Sequence, residues 1–302
     1  MRAAASPPDG GGQAREVPVL LSPGQGSQSP GLLASWLDLP GAAETLRRWS
    51  DLIGLDLATL GTTASADEVR RTEVAQPLLT AVALLSGRAL LAGGSPELTC
   101  GHSIGELSAA ALAGVITDDE AVALAAVRGR LMAGACDEAP TGMAAILGAG
   151  PDEADVRAAG LQIATVNAPG QLVVGGPVAA LEAYAPVGAR VRRLDVAGAF
   201  HTTAMEPAVE GFAAAVRALR PGPPVCPVLA NADGALVVDG QEVLDRLVAQ
   251  LTHPVRFDLC LAALPGSPVV ELAPGGTLAA MVKRARPDLE VTALKTGLEV
   301  SA

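Results

Sequence analysis

Short apolar runs alternate along the chain with longer stretches of helical periodicity, a pattern that predicts a mixed α/β fold. Residues 17–21, Val-Pro-Val-Leu-Leu, read as a buried strand running straight into the loop Ser22-Pro23-Gly24-Gln25-Gly26-Ser27-Gln28. Helical stretches rich in Ala and Leu follow, including residues 75–91. A brief strand ends at Leu98-Thr99-Cys100, and residues 106–113 form a helix of small residues with Gly114 placed to end it. Thr117-Asp118-Asp119-Glu120 is a capping-box pattern that opens the next helix. Its apolar stripe runs Ala121, Leu124, Ala125, Leu131, Met132 and Ala135, spaced as one helix face. Arg128 falls inside that stripe, whereas Arg130 does not. An arginine on an inward face needs an anionic partner or a route to water.

The pattern changes near Gly142. Strand 143–147, helix 152–159 and strand 163–166 are followed by the turn Asn167-Ala168-Pro169-Gly170. Strand 171–174, helix 178–184 and strand 191–196 complete the unit. This β-α-β-β-α-β order predicts an inserted ferredoxin-like subdomain over residues 141–200. A larger domain then resumes with helix 207–219, strand 225–230, helix 242–251 and a final strand at 269–272. It is predicted to comprise residues 17–140 and 201–298, after a flexible leader at 1–16.

Composition narrows this picture. Half of the 302 residues are hydrophobic but only 2% are aromatic, so the core is built from Ala, Val and Leu. Such a core packs through close backbone approach, which suits helices laid on a parallel sheet. Gly, Pro and charges interrupt the apolar stretches, so no membrane span is expected. Residues 1–16 lack the apolar core of a signal peptide. Cys100, Cys136, Cys226 and Cys260 are scattered without pairing, which fits a reduced, cytoplasmic protein with no disulfide framework or metal centre. A net charge of −11 argues against nucleic-acid binding.

Candidate chemistry centres on Gly101-His102-Ser103-Ile104-Gly105-Glu106. A G-x-S-x-G turn between strand and helix exposes a serine hydroxyl at a helix N-terminus, where the next backbone N–H can bind a developing oxyanion. The motif alone is weak, because a chain with 34 glycines can produce it by chance. Serine also needs a base, and only three histidines are available. His102 leaves the elbow in another direction and His253 reads as a surface residue before Pro254. His201, in Gly198-Ala199-Phe200-His201, is the base by elimination. Asp195 is the nearest preceding acid but reads better as a strand or surface carboxylate. The acceptor for the second imidazole nitrogen could equally be a backbone carbonyl.

Taken in order, these segments resemble the malonyl-CoA:acyl carrier protein transacylases, free-standing bacterial enzymes of fatty-acid and type II polyketide synthesis. The resemblance spans residues 17–298. It rests on Pro23-Gly24-Gln25-Gly26-Ser27-Gln28, Ala75-Gln76-Pro77, the Ser103 elbow, Arg128-Gly129-Arg130-Leu131-Met132, Asn167-Ala168-Pro169-Gly170-Gln171, Gly198-Ala199-Phe200-His201, Gln250 with Pro254-Val255-Arg256-Phe257, and Pro274-Gly275-Gly276-Thr277-Leu278. It implies an α/β-hydrolase-like large domain carrying the ferredoxin-like insertion. It implies that Ser103 takes the acyl group, that His201 is its base, and that the N–H groups of Gln25 and Ile104 form the oxyanion hole. It further implies that the Gln250 main-chain carbonyl orients His201, that Arg128 holds the malonyl carboxylate, and that His102 lines the same pocket. Phe200 matches a position where a bulky residue accompanies malonyl and a smaller one methylmalonyl.

Malonyl-CoA and holo acyl carrier protein are the implied partners, in a ping-pong exchange that needs no cofactor and nothing beyond a monomer. An acidic carrier would require a local basic patch, for which Arg192, Arg193, Lys283, Arg284 and Arg286 are candidates. Two rival readings are a serine hydrolase, which leaves the inward arginine unexplained, and a non-catalytic scaffold, which leaves the full set of polar groups unexplained.

Overall fold

Two sheets meet at a cleft, which is lined by one face of the smaller and by loops that follow strands of the larger. The computed structural model describes residues 18–300, so the predicted leader and Val17 lie outside the described residues. The strands are β1 (Val19–Ser22), β2 (Leu98–Gly101), β3 (Thr141–Gly148), β4 (Gln162–Ala168), β5 (Gln171–Pro177), β6 (Ala189–Arg193), β7 (Val228–Leu229), β8 (Leu236–Val237), β9 (Val255–Arg256), β10 (Val269–Glu271) and β11 (Val291–Ala293).

The larger sheet has the order β11-β10-β1-β2-β7-β8 and is parallel except for β8. Its central strands β1 and β2 are buried throughout, as expected of strands covered on both faces. Alternation along β1 sends Leu20 into one core and Val19 and Leu21 into the other. Helices Thr72–Leu91, Gly105–Leu112 and Asp118–Cys136 build the first core, and Phe257–Ala263 and Thr277–Ala285 the second.

The helix Thr72–Leu91 corrects one expectation: with mean hydropathy 1.5 it is long and apolar enough to cross a membrane. Its polar interruptions, Gln76, Pro77 and Arg88, are too sparse to break the run. Within this fold it is apolar on nearly every side because it is buried on nearly every side.

The smaller sheet has the order β6-β3-β5-β4-β9. β3 pairs antiparallel with β5 and β6, and Pro169-Gly170 closes the β4–β5 hairpin. A fifth strand, β9, joins parallel to β4 from a part of the chain that the insertion pattern did not include. Helices Glu153–Ala158 and Val178–Ala183 cover one face over Ala144, Ile146, Val156, Leu161, Val174 and Leu181. The other face presents Met143, Ala145, Thr165 and Val173 to the cleft.

Three further differences have local causes. The strand expected at 225–230 is reduced to β7, because Val225 N–H donates to the Ala113 carbonyl at 2.7 Å and Pro227 has no N–H to give. The strand expected at 191–196 starts earlier and ends at Arg193, where the chain turns toward the cleft. The strand at 269–272 is not the last, since helix Thr277–Ala285 and β11 follow it.

Candidate active site

Ser103 sits between β2 and the helix Gly105–Leu112 in a left-handed conformation, with φ +54°. For a residue bearing a side chain this costs roughly 1–3 kcal/mol, which the surroundings must supply. Both flanking glycines are sterically required. A Cβ on Gly101 would stand 2.0 Å from the Gly105 carbonyl carbon, and one on Gly105 would stand 2.2 Å from the Ser22 carbonyl oxygen. Asn231, just beyond β7, secures the turn from the side. Its Oδ1 accepts the Ser103 N–H at 2.8 Å, and its Nδ2 donates to the Gly101 carbonyl at 2.6 Å.

His201 Nε2 lies 2.6 Å from Ser103 Oγ, and Nδ1 lies 2.8 Å from the Gln250 main-chain oxygen. A carbonyl only accepts, so Nδ1 carries the hydrogen and the Nε2 lone pair faces the serine hydroxyl. Among the described residues no acid occupies the third place. Asp195 is at the surface, paired with Arg70. His253 is exposed and turned to the Ala249 carbonyl at 2.8 Å.

Burial, reinforced by the nearby Arg128 charge, pushes the His201 imidazole down to about 3. It is therefore neutral throughout the physiological range, as a general base must be. Histidine-labelled NMR should find this ring still neutral at pH 5. Between pH 6.5 and 3 the unfolded chain binds a proton that folded His201 refuses, so stability should fall as pH falls through that window.

Arg128 is 1% exposed and projects from the helix Asp118–Cys136. Its Nη1 donates to Gln76 Oε1 at 3.0 Å, and its Nη2 to Gln250 Oε1 at 2.9 Å and Ser103 Oγ at 3.4 Å. Among the described residues it makes no ion pair. Two amides hold the guanidinium without neutralising it. Burial lowers its pKa to about 10, and Glu106 opposes that shift, so the group stays charged at neutral pH. A buried arginine beside a serine hydroxyl is a fixed receptor for an anion.

These groups open onto a cleft of about 470 Å³ between the sheets, lined also by Gln25, His102, Asn167, Phe200 and Met281. His102 Nε2 lies 2.9 Å from Asn167 Oδ1, and its ring stands edge-on to Phe257 at 5.2 Å. It thus points away from the Ser103 hydroxyl while remaining in the cleft wall. Phe200 is buried beside His201. Among the described residues the backbone N–H groups of Gln25 and Ile104 have no protein acceptor. Of the basic candidates, Arg286 pairs with Asp288, Arg193 reaches the Val178 carbonyl, and Arg192 is exposed on β6. Arg284 donates to Gln171 on the cleft wall at 3.1 Å, with Lys283 exposed next to it.

Sequence reasoning assigned no role to Asn231, Glu106, Gln76 or Asn167. The last three lie inside segments that had been singled out, so their signal was present without a partner to explain it. Asn231 offered only a polar residue at the carboxyl end of a short strand. Glu106 is a buried carboxyl that burial raises to about 7, against the pull of the Asn231 N–H and Arg128.

The acyl transferase domain family matches residues 19–295. The malonyl CoA-acyl carrier protein transacylase of Mycobacterium tuberculosis is 47% identical over 290 residues, covering 92% of this chain and 96% of that protein. The crystal structure of MCAT from the same organism superposes with a TM-score of 0.88 at 46% identity, covering 93% and 97% of the two chains. A malonyl-transacylase solved in complex with its type II PKS acyl-carrier protein gives a TM-score of 0.86 at 30% identity, covering 94% and 97%. With the serine elbow, its histidine and the buried arginine assembled in one cleft, the chain belongs to the acyl transferase domain family, alongside the malonyl CoA-acyl carrier protein transacylases.

Proposed function

We propose that the protein transfers the malonyl group of malonyl-CoA to the phosphopantetheine thiol of an acyl carrier protein through a malonyl ester on Ser103. The observation that carries this reading is the Arg128 guanidinium, buried, charged and 3.4 Å from the Ser103 hydroxyl, with no ion pair to a carboxylate among the described residues. A dicarboxylic acyl group supplies that carboxylate; an acetyl group does not.

In the first half-reaction the Ser103 proton passes to His201 Nε2 as Oγ attacks the thioester carbonyl. The tetrahedral oxyanion is stabilised by the N–H groups of Gln25 and Ile104. Collapse expels the CoA sulfur, which takes the proton from the imidazolium. In the second half-reaction the carrier thiol gives its proton to His201, attacks the ester, and Ser103 recovers its hydrogen. Thioester and ester are of similar energy, so the exchange runs in both directions. Throughout, the Gln250 carbonyl keeps Nδ1 protonated and Nε2 available.

Phe200 and His102 bound the acyl pocket, and a methyl branch on the malonyl carbon meets the Phe200 ring. A single methylene discriminates by only ~1–3 kcal/mol, so methylmalonyl is disfavoured rather than excluded. Of the basic candidates, Arg284, which donates to the cleft-lining Gln171, is the one we assign to meeting an acidic carrier. The sheet β11-β10-β1-β2-β7-β8, parallel except for β8, supports an α/β-hydrolase-like large domain of residues 17–140 and 201–298. The antiparallel order β6-β3-β5-β4 supports a ferredoxin-like insertion at 141–200.

Intact-mass analysis after mixing with malonyl-, methylmalonyl- and acetyl-CoA, with and without holo carrier protein, tests the reading. Malonyl should load fastest, on Ser103, and should leave when carrier protein is added. Hydrolysis outrunning transfer to the carrier would instead make the protein an esterase.

A further inference from the structure

Behind the nucleophile lies a buried hydrogen-bond network with Glu106 at its centre. Glu106 is 5% exposed and does not line the substrate cleft. One of its oxygens, Oε1, accepts the Asn231 main-chain N–H at 2.6 Å; the other, Oε2, accepts from Gln250 Nε2 at 2.5 Å. These two partners do different work. The Asn231 side chain holds the backbone of the strained elbow at Ser103 and Gly101. The Gln250 main chain holds His201 Nδ1.

We propose that Glu106 is a positioning residue, whose single carboxylate fixes the nucleophile's backbone through Asn231 and the base's orientation through Gln250. The inference rests on the acyl-serine reading above.

The polarity of the network supports it. Arg128 donates to Gln250 Oε1, so the opposite end of that carboxamide must be its NH₂, which in turn needs an acceptor. The Asn231 N–H also needs one. Gln250 Nε2 has two longer contacts, the Ser103 carbonyl at 3.3 Å and Asn231 Oδ1 at 3.2 Å, but Glu106 Oε2 is its shortest. Only a group that accepts on both sides serves that donor and the Asn231 N–H together, as a carboxylate does. A glutamine in the same place would turn an NH₂ toward one of them and leave a buried donor facing a donor. The arrangement differs from a simple counter-ion for Arg128, because it contacts the residues that hold Ser103 and His201 and makes no hydrogen bond to the guanidinium.

That difference sets the experiment, which uses the full chain and follows acylation by rapid quench and intact mass. The wild type must first form an acyl-Ser103 species from malonyl-CoA; absence of that species defeats the acyl-serine reading itself. Given the species, Glu106→Gln should slow acylation by malonyl-CoA and acetyl-CoA in parallel, by roughly ten- to a hundredfold at saturating donor. KM should move less than about threefold, since the substrate is not touched. In combination with Gln250→Met, which keeps the main-chain carbonyl, the loss should be no greater than that of the slower single variant.

A wild-type rate in Glu106→Gln overturns the proposal. So does a loss confined to malonyl, which would mark a counter-ion, and so do additive losses in the double variant. If Glu106→Gln does not fold, Glu106→Asp takes its place and must slow both donors together.

Discussion

Ser103→Ala should abolish formation of the covalent malonyl adduct and lower malonyl transfer by on the order of 10⁴-fold or more. The expectation follows from the number of groups aimed at one oxygen. His201 Nε2 stands 2.6 Å from it, and Arg128 Nη2 at 3.4 Å. Alanine removes the nucleophile while leaving the receptor for the acyl carboxylate in place, so malonyl-CoA should still bind. The fold should hardly register the change, because the elbow is secured through the Ser103 main chain. Its N–H remains on Asn231, and the glycines at 101 and 105 still permit the tight turn. The measurement is intact mass after incubation with malonyl-CoA, with thermal unfolding as the control. A Ser103→Ala protein that still takes up one malonyl group would place the nucleophile elsewhere.

How far the sequence alone could reach depended on whether a feature was local. The elbow, the capping box at Thr117 and the two periodicities are written into neighbouring residues, and each element appears within a few positions of its expected place. The inward Arg128 was equally legible, since a charge inside an apolar stripe betrays burial by itself. Its partners were not: Gln76 and Gln250 approach from 52 and 122 residues away. The same distance hid the Glu106 network, which ties residues 125 and 144 positions apart. Strand β9 escaped for another reason. Two residues carry no period, and their place in the smaller sheet is set by packing against β4.

The base shows both sides of this. Elimination among three histidines selected His201, but only the three-dimensional fold could decide between Asp195 and a main-chain carbonyl as the group behind it. Asp195 is committed to Arg70 at the surface, and the imidazole meets the Gln250 carbonyl instead. A neutral acceptor suits this site. A buried carboxylate there would place a negative charge close to Arg128, competing with the malonyl carboxylate that we propose it holds. With a carbonyl behind His201, the guanidinium charge remains available to the proposed malonyl carboxylate.

The second large effect therefore belongs to Arg128→Ala. Malonyl transfer should fall by roughly 10²- to 10⁴-fold, the loss of one or two charge-assisted hydrogen bonds at ~1.5–3 kcal/mol each, plus a carboxylate left without its partner. Acetyl transfer should fall little or rise, since the acetyl group never used the charge and the wild-type pocket disfavours an apolar acyl tail beside a guanidinium. Arg128→Lys should fall between, because lysine restores the charge without the planar fork. The proton balance should move as well. Arg128 helps hold the His201 pKa down, so its removal lets that pKa rise and the base is lost at a higher pH than in the wild type. Steady-state rates with both donors across pH 4–8 read all of these at once. Equal losses for malonyl and acetyl would reduce Arg128 to a strut between two glutamines, and the site would have to recognise malonyl by other means. A selective loss would tie the serine to its substrate through a buried charge that has no ion-pair partner among the described residues.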